Sequence, residues 1–312
     1  MARKGIENNM KHVFIINPAA GKNQRSLSMI PEIKNYFEKN PGDYAINITN
    51  APMDAVRLAR LHAEKGKPVR FYACGGDGTL MEVLNGAFGY ANSEIACIPC
   101  GSANDYIKNF DSSLPFKSIG AQVNGVSRPV DTIDGNGRIS FNICCMGMDA
   151  DVADKMVYFK HFPFVSGPMA YNLAVLYMFF HHIGRRLNVR IDTGSSIIER
   201  EGEYILSLAA SGQYYGGGYR GAPQAVIDDG LLDFVFIETI SRIEVPNFLK
   251  RYKAGQHLDM PIVHSYRGLS MEISSPKPVT VCVDGECFSR NEITFAIRPK
   301  SVRFVLPRNN FA

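Results

Sequence analysis

Three things are missing from this 312-residue chain, and each absence excludes something. No stretch reaches the roughly 20 apolar residues that a bilayer-crossing helix needs; the most apolar helical segment, residues 169–180, is too short. No run of Lys and Arg is present, and the formal net charge is a mild +4, so nucleic acid is not an expected partner. That charge still permits contact with an acidic membrane surface. Residues 1–13, MARKGIENNMKHV, carry basic groups but no apolar core, so no secretory signal is expected. The cysteines number seven, an odd count scattered through apolar runs, which suits a reducing compartment. Cys97 and Cys100 have CxxC spacing, yet no second pair with metal spacing accompanies them. They read as structural thiols closing a buried strand. The expectation is a cytoplasmic protein touching the membrane peripherally, with a homodimer left open.

What is present is organised around residues 69–86, VRFYACGGDGTLMEVLNG. Val69–Cys74 is a short apolar run of the kind that forms a buried strand. Gly75, Gly76, Asp77, Gly78 and Thr79 follow, and then Leu80, Val83 and Leu84 at helical spacing. A strand, a glycine turn and a helix in that order point backbone N–H groups at an anion. Thr79 is the expected helix N-cap, with the helix over 79–88. A carboxylate at Asp77 beside a phosphate is repulsive unless a cation lies between them, so the turn suits a metal–nucleotide complex. A tight surface turn with an exposed Asp is the plainer alternative.

Strands are also expected at 12–17, 44–49 and 94–99, with helices around 27–37 and 52–66 between them. This alternation predicts a parallel sheet covered on both faces. Three of its strand-to-helix loops carry glycine with polar residues: NPAAGK, GGDGT and CGSAND. In open α/β sheets ligands sit outside the carboxyl ends of the strands.

After about Arg128 the character changes. Short alternating strands closed by DTIDGNGR, IDTGSS, DDGLLD, SPKPVT and VDGECFSRNE predict an antiparallel sheet or sandwich. Helical stretches are expected at 149–159, 168–182 and 243–253, and a last strand at 301–306.

Six ordered blocks then carry a family resemblance: NPAAG (17–21), GGDGTLMEVLNG (75–86), PCGSANDY (99–106), FNICCMGMDADV (141–152), GGGYRGAPQAVIDDGLLD (216–233) and VDGE (283–286). They resemble the diacylglycerol-kinase catalytic family, the lipid-kinase superfamily that includes bacterial diacylglycerol kinases and sphingosine kinases. The resemblance runs through nearly the whole chain. A GGDGT turn alone also occurs in NAD kinases and resembles one in phosphofructokinases.

The resemblance implies an N-terminal Rossmann-like parallel-sheet nucleotide domain, residues 1–129 with 299–312 returning to it. A C-terminal antiparallel β-sandwich over 130–298 would take the lipid. It implies an ATP site lined by Asn17, Pro18, Ala19, Ala20 and Gly21, by Thr49, and by Gly75, Gly76, Asp77, Gly78, Thr79, Leu80, Met81 and Glu82. Ser102 and Asn104 complete that site. Asn and hydroxyl side chains with loop N–H groups can bind phosphate without a Walker lysine. Met81 stands where the family usually has Asn, Ser102 where it has Thr, and the first loop lacks the Ser favoured before its Gly. None of these removes a charge that phosphoryl transfer needs.

Such transfer wants Mg²⁺ on the phosphate oxygens, alignment, and a base for the attacking hydroxyl. The resemblance assigns the base to Asp284, with Glu286 next. Read without it, the Asp284–Gly285 pair is a hairpin turn. The resemblance also implies a structural Mg²⁺ held by Asp229 with the carbonyls of Val226 and Leu231, and an acidic network through Asp77, Asp105 and Asp131. Without the resemblance, the acidic cluster at 226–233 reads as surface carboxylates on a hairpin or turn. His181 and His182 are adjacent and cannot share a helix face, so they are not a metal pair. Arg185, Arg186 and Arg190 read as a solvated strand edge rather than a lipid-headgroup site. The aromatics of Tyr158–Phe164, with Tyr177, Phe179 and Phe180, read as core before acyl-chain guides.

The expected function is an ATP- and Mg²⁺-dependent lipid kinase acting at a membrane surface, with diacylglycerol as the first substrate. The alternatives are another lipid alcohol (a sphingoid base or ceramide), NAD, or an idle nucleotide-binding regulatory module. A Rossmann oxidoreductase would need G-x-G-x-x-G after the first strand, which is missing.

Overall fold

The computed structural model describes residues 10–21, 25–147, 150–152, 155, 158–159, 162, 165, 169, 173–174, 184–241, 243–283 and 285–309. The helices expected at 149–159 and 168–182 fall largely outside these residues, as do His181, His182, Tyr177, Phe179, Phe180 and Asp284. The chain divides into two compact units, one of residues 1–130 with 300–312 and one of residues 131–299.

In the first unit β1 (Lys11–Ile16), β2 (Tyr44–Ile48), β3 (Val69–Gly75) and β4 (Ser93–Pro99) lie in the order β2-β1-β3-β4, every pairing parallel. β3 is buried along its whole length, as expected of a strand covered on both faces. The returning end of the chain adds Phe304 beside Ile95 of β4 in parallel. Helix α1 (Met29–Lys39) buries Met29, Ile33 and Phe37, one residue per turn, against Phe14, Ile16, Tyr72 and Cys74. α2 (Asp54–Ala63) and α3 (Asp77–Ala87) pack closely because Gly86 has no side chain; a Cβ there would stand 2.3 Å from the Val56 carbonyl oxygen. A short α4 (Ile119–Val123) is capped by the Ser118 hydroxyl, which accepts from the Ala121 N–H.

The register aligns the strand ends. Ile16 lies opposite both Ile48 and Cys74, and Gly75 lies opposite Pro99. The loops after β1, β2, β3 and β4 therefore leave one edge of this sheet together.

The strands beyond Val130 are mostly antiparallel: β5 (Val126–Gly135), β6 (Arg138–Ser140), β7 (Ile143–Gly147), β8 (Arg185–Asp192), β9 (Ile197–Ala210), β10 (Leu232–Glu238), β11 (Val263–Gly268), β12 (Ser270–Val283) and β13 (Glu286–Leu306). The β5–β6 turn has positive φ at Asn136 and Gly137, the conformation an Asn-Gly hairpin requires. Alternation sorts the second unit's interior into two clusters, one around Cys144, Met146, Phe234 and Phe295, the other around Cys145, Leu208, Val235 and Phe248. Helix α5 (Val245–Ala254) covers the second cluster with Phe248 and Tyr252 and stops at Gly255, φ +72°.

Two expectations fail here. The strands are not uniformly short: β12 runs through SPKPVT, which is a register shift between Ser274 and Val279 rather than a turn. β8 is not an edge, since it pairs with both β12 and β9. Its arginines meet carboxylates instead: Arg185 with Asp151 at 2.7 Å, Arg186 with Glu201, and Arg190 with Glu272 at 3.4 Å.

Candidate active site

At the aligned strand ends of the first unit, Asn17 joins two of the expected loops. Its side-chain amide donates to the Thr79 hydroxyl at 3.1 Å, while its Oδ1 accepts the Ala19 N–H at 3.0 Å. The Ser26 hydroxyl donates to its carbonyl at 2.6 Å. Gly21 turns the first loop with φ +83°, and a Cβ there would stand 2.6 Å from the Cys100 carbonyl oxygen. This loop thus lies against the one after β4.

The glycine turn is built from both sides. The Gly75 carbonyl accepts the N–H groups of Cys100 and Gly101, at 2.8 and 3.1 Å, and the Asn104 amide at 3.1 Å. Asn104 is buried and left-handed, φ +49°. A Cβ on Gly75 would fall 2.2 Å from Thr79 Oγ1, and one on Gly101 2.5 Å from the Gly76 Cα. These glycines are needed by packing. Gly78 is different: it is exposed, and nothing lies within 4 Å of where its Cβ would be. It leaves bare backbone in the first turn of an 11-residue helix.

The N-cap of that helix is Gly76, not Thr79. Thr79 lies buried in the first turn, where its hydroxyl faces Asn17 rather than a free N–H. Asp77 begins the helix. Its Oδ1 accepts the Tyr106 N–H at 3.2 Å, and burial, then the charge of Asp105, pushes its carboxyl above the usual carboxylate range. Asp105 is buried and bonded to Lys108 Nζ at 2.5 Å. A half-buried and a buried carboxylate, with the one lysine bonded to Asp105, form a site that a further cation would stabilise.

The Thr49 hydroxyl faces the Ile16 carbonyl at 3.4 Å, and Glu82 accepts the Ala55 N–H at 3.1 Å, capping α2. Leu80 is core, Met81 is half-buried with its carbonyl taken by the Asn85 amide, and Ser102 is exposed beside the turn. Pro18 and Ala20 are half-buried and Ala19 is exposed along the first loop. Cys97 and Cys100 are buried thiols, both raised by burial, which fits structural cysteines.

In the second unit Asp131 is fully buried. Its N–H donates to the Ile227 carbonyl, and its Oδ2 accepts the Gly230 N–H, both at 2.7 Å. Asp229 accepts the Leu231 N–H at 3.1 Å with Oδ1 and pairs with Arg267 through Oδ2; Arg267 also reaches buried Asp233 at 3.3 Å. Val226 is exposed and Leu231 half-buried. Asp284 lies outside the described residues. Glu286 is exposed and bonded to Arg138 at 2.6 Å.

Among the described residues no group of three or more His, Cys, Asp or Glu side chains is placed to hold a metal. The donors still suit Mg²⁺, a hard ion that takes one or two carboxylates and fills its shell with carbonyls, water and phosphate oxygens. Asp77 with Asp105 is one such set. Asp229 with neighbouring carbonyls is another, although it would share its carboxylate with Arg267. That arginine escaped notice in the sequence: only the β10–β11 register, which sets Asp233 opposite Arg267, reveals it.

A family model described as "Diacylglycerol kinase catalytic domain" matches residues 11–134, and one described as "YegS C-terminal NAD kinase beta sandwich-like domain" matches residues 142–306. A "Probable lipid kinase YegS-like" of Shewanella frigidimarina is 28% identical over 241 residues, 75% of each chain. A "Diacylglycerol kinase" of Staphylococcus carnosus is 28% identical over 277 residues, covering 88% of this chain and 87% of its own. A crystal structure described as a putative diacylglycerol kinase from Bacillus anthracis shares the fold, with TM-score 0.72 at 20% identity, over 95% of this chain and 97% of that one. These place the chain among phosphotransferases of the kinase class. The chain belongs to the diacylglycerol-kinase and YegS-like lipid kinase family.

Proposed function

We propose that the protein transfers the γ-phosphoryl group of ATP to a lipid hydroxyl, with diacylglycerol as acceptor and phosphatidic acid as product. The observation that carries this reading is the bare first turn at Gly78, with Asn17 and Thr79 linked on one side and half-buried Asp77 with buried Asp105 on the other. Here the first unit acts as a Rossmann-like nucleotide domain, and the second as the β-sandwich that meets the lipid. Backbone N–H groups of the turn bind the phosphates, and the expected polar residues of the three loops line them. Asp77 and Asp105 would hold Mg²⁺ brought with the nucleotide, which supplies charge neutralisation. Asp229 with the carbonyls of Val226 and Leu231 would hold a structural ion.

Asp284 takes the proton of the attacking hydroxyl, and Glu286 is the second choice. The lipid is met at a membrane surface, from a cytoplasmic position; separately, among the described residues no helix is long and apolar enough to cross a membrane. The test is transfer of label from γ-labelled ATP into vesicles containing diacylglycerol, a sphingoid base or ceramide, with NAD in a parallel reaction. Labelled phosphatidic acid is the expected product. Label in NADP, or nucleotide binding with no acceptor labelled, would replace this reading with NAD kinase or with an idle module.

A further inference from the structure

All seven cysteines are thiols, and three of them form a row across neighbouring strands of the second unit. Cys282 of β12 lies opposite Cys287 of β13 on one side and opposite Cys145 of β7 on the other. The three share one face, in the cluster with Leu208 and Phe248. Cys145 and burial push the Cys282 thiol above its ordinary range, while Cys287 acts in the opposite sense; the Cys287 thiol donates to the Ala150 carbonyl at 3.7 Å. Cys287 is half-buried, whereas Cys145 and Cys282 are buried.

The two neighbours of Cys282 are not equivalent. Val283 pairs with Glu286 across a two-residue connection, and a connection that short is closed by a hydrogen-bonded pair. The next pair, Cys282 with Cys287, is by alternation not hydrogen-bonded, with a Cα separation of about 4.5 Å and side chains close together. The backbone groups of Cys282 then point toward β7, which makes Cys282 with Cys145 the wider, hydrogen-bonded pair, at about 5.5 Å. Disulfides span Cα separations of about 4.4–6.8 Å but need the two Cβ atoms within about 4.5 Å, which favours the first pair.

We propose that Cys282 and Cys287 form a modification site, a dithiol that low-molecular-weight disulfides such as oxidised glutathione convert reversibly to an intramolecular disulfide. The half-buried Cys287 thiolate attacks a sulfur of the oxidant, forming a mixed disulfide and releasing one thiolate. The Cys282 thiolate then attacks the Cys287 sulfur and displaces the bonded thiol. Two protons pass to the departing thiolates, the protein pair loses two electrons, and the oxidant leaves as two thiols. The link staples β12 to β13 one residue from Glu286. Its effect on turnover rests on the function proposed above; its formation does not.

The experiment incubates the full chain with oxidised glutathione, blocks remaining thiols and maps the peptides by mass spectrometry. Two of the seven thiols should disappear, with one linkage joining the peptides of Cys282 and Cys287 and dithiothreitol restoring both. Cys145→Ser should keep the linkage and Cys287→Ser should lose it. Linkage of Cys282 to Cys145, a persistent glutathione adduct on Cys287, or seven thiols left intact would each overturn the proposal. Loss of lipid phosphorylation in step with the link, reversed by reductant, is the expected activity readout. A linked protein with undiminished turnover would remove the effect on turnover while leaving the mapped site in place.

Discussion

The side-chain amide of Asn17 and the hydroxyl of Thr79 are 3.1 Å apart, 62 residues distant in the chain, and join the loop after β1 to the first turn of α3. The bond fixes two of the loops that meet at one sheet edge. Thr79 is thereby spent on architecture as well as on any ligand. Asn17→Ala removes this bond and the one from Ala19 to its Oδ1. It should cost about 1–2 kcal/mol of stability and raise the apparent KM for ATP. Thermal unfolding and an ATP titration measure the two effects.

Gly75 and Gly78 are three residues apart and should respond oppositely to alanine. At Gly75 the new methyl meets Thr79 Oγ1 at 2.2 Å, so Gly75→Ala should destabilise by about 1–3 kcal/mol. At Gly78 the space is open and the residue is helical, so alanine should hold or raise stability by up to about 1 kcal/mol. Gly78→Ala should nevertheless lose nucleotide affinity, because the methyl occupies the bare turn. Paired melting curves and nucleotide titrations distinguish the two substitutions.

Asp77 sets a pH dependence. Its carboxyl is raised by burial, then by Asp105, so the folded chain binds this proton more tightly than the unfolded chain. The stability linked to it is fully present below the ordinary carboxylate pKa and is lost as pH rises through the raised value. Asp77→Asn keeps the acceptor for the Tyr106 N–H and removes the charge. Without divalent cation the variant should melt higher than the parent at pH 7, and the gap should narrow as pH falls toward the ordinary carboxylate range. A gap that widens on acidification would contradict this environment for Asp77.

Arg267 binds Asp229 and Asp233, and Asp233 is buried. Arg267→Met leaves those carboxylates without their cation and should cost about 1–3 kcal/mol, tempered by the partial exposure of the arginine. Added Mg²⁺ should recover more melting temperature in this variant than in the parent, because Asp229 then has no competing partner. Melting curves with and without Mg²⁺ make the comparison.

Much of the first unit was legible in the sequence. The apolar runs expected at 12–17, 44–49, 69–74 and 94–99 became strands at Lys11–Ile16, Tyr44–Ile48, Val69–Gly75 and Ser93–Pro99, within a residue or two. The start of α3 was not, since glycines at 76 and 78 read as turn residues by propensity. Contacts from Cys100, Gly101, Asn104 and Tyr106 hold that segment and override the preference. Pro276 and Pro278 likewise suggested a turn where β12 continues through a bulge. Glu82 and Thr49 were expected only as ligand groups; that they also bond Ala55 and Ile16 depends on which elements become neighbours, which no local pattern states.

The most direct test of the account compares the parent chain and Asp284→Asn in two measurements on one sample: nucleotide binding, and transfer of the γ-phosphoryl group to diacylglycerol in vesicles. Equal nucleotide binding is expected, with labelled phosphatidic acid from the parent and none from the variant. Comparable labelling by both proteins, or no labelled lipid from the parent despite bound nucleotide, would contradict it.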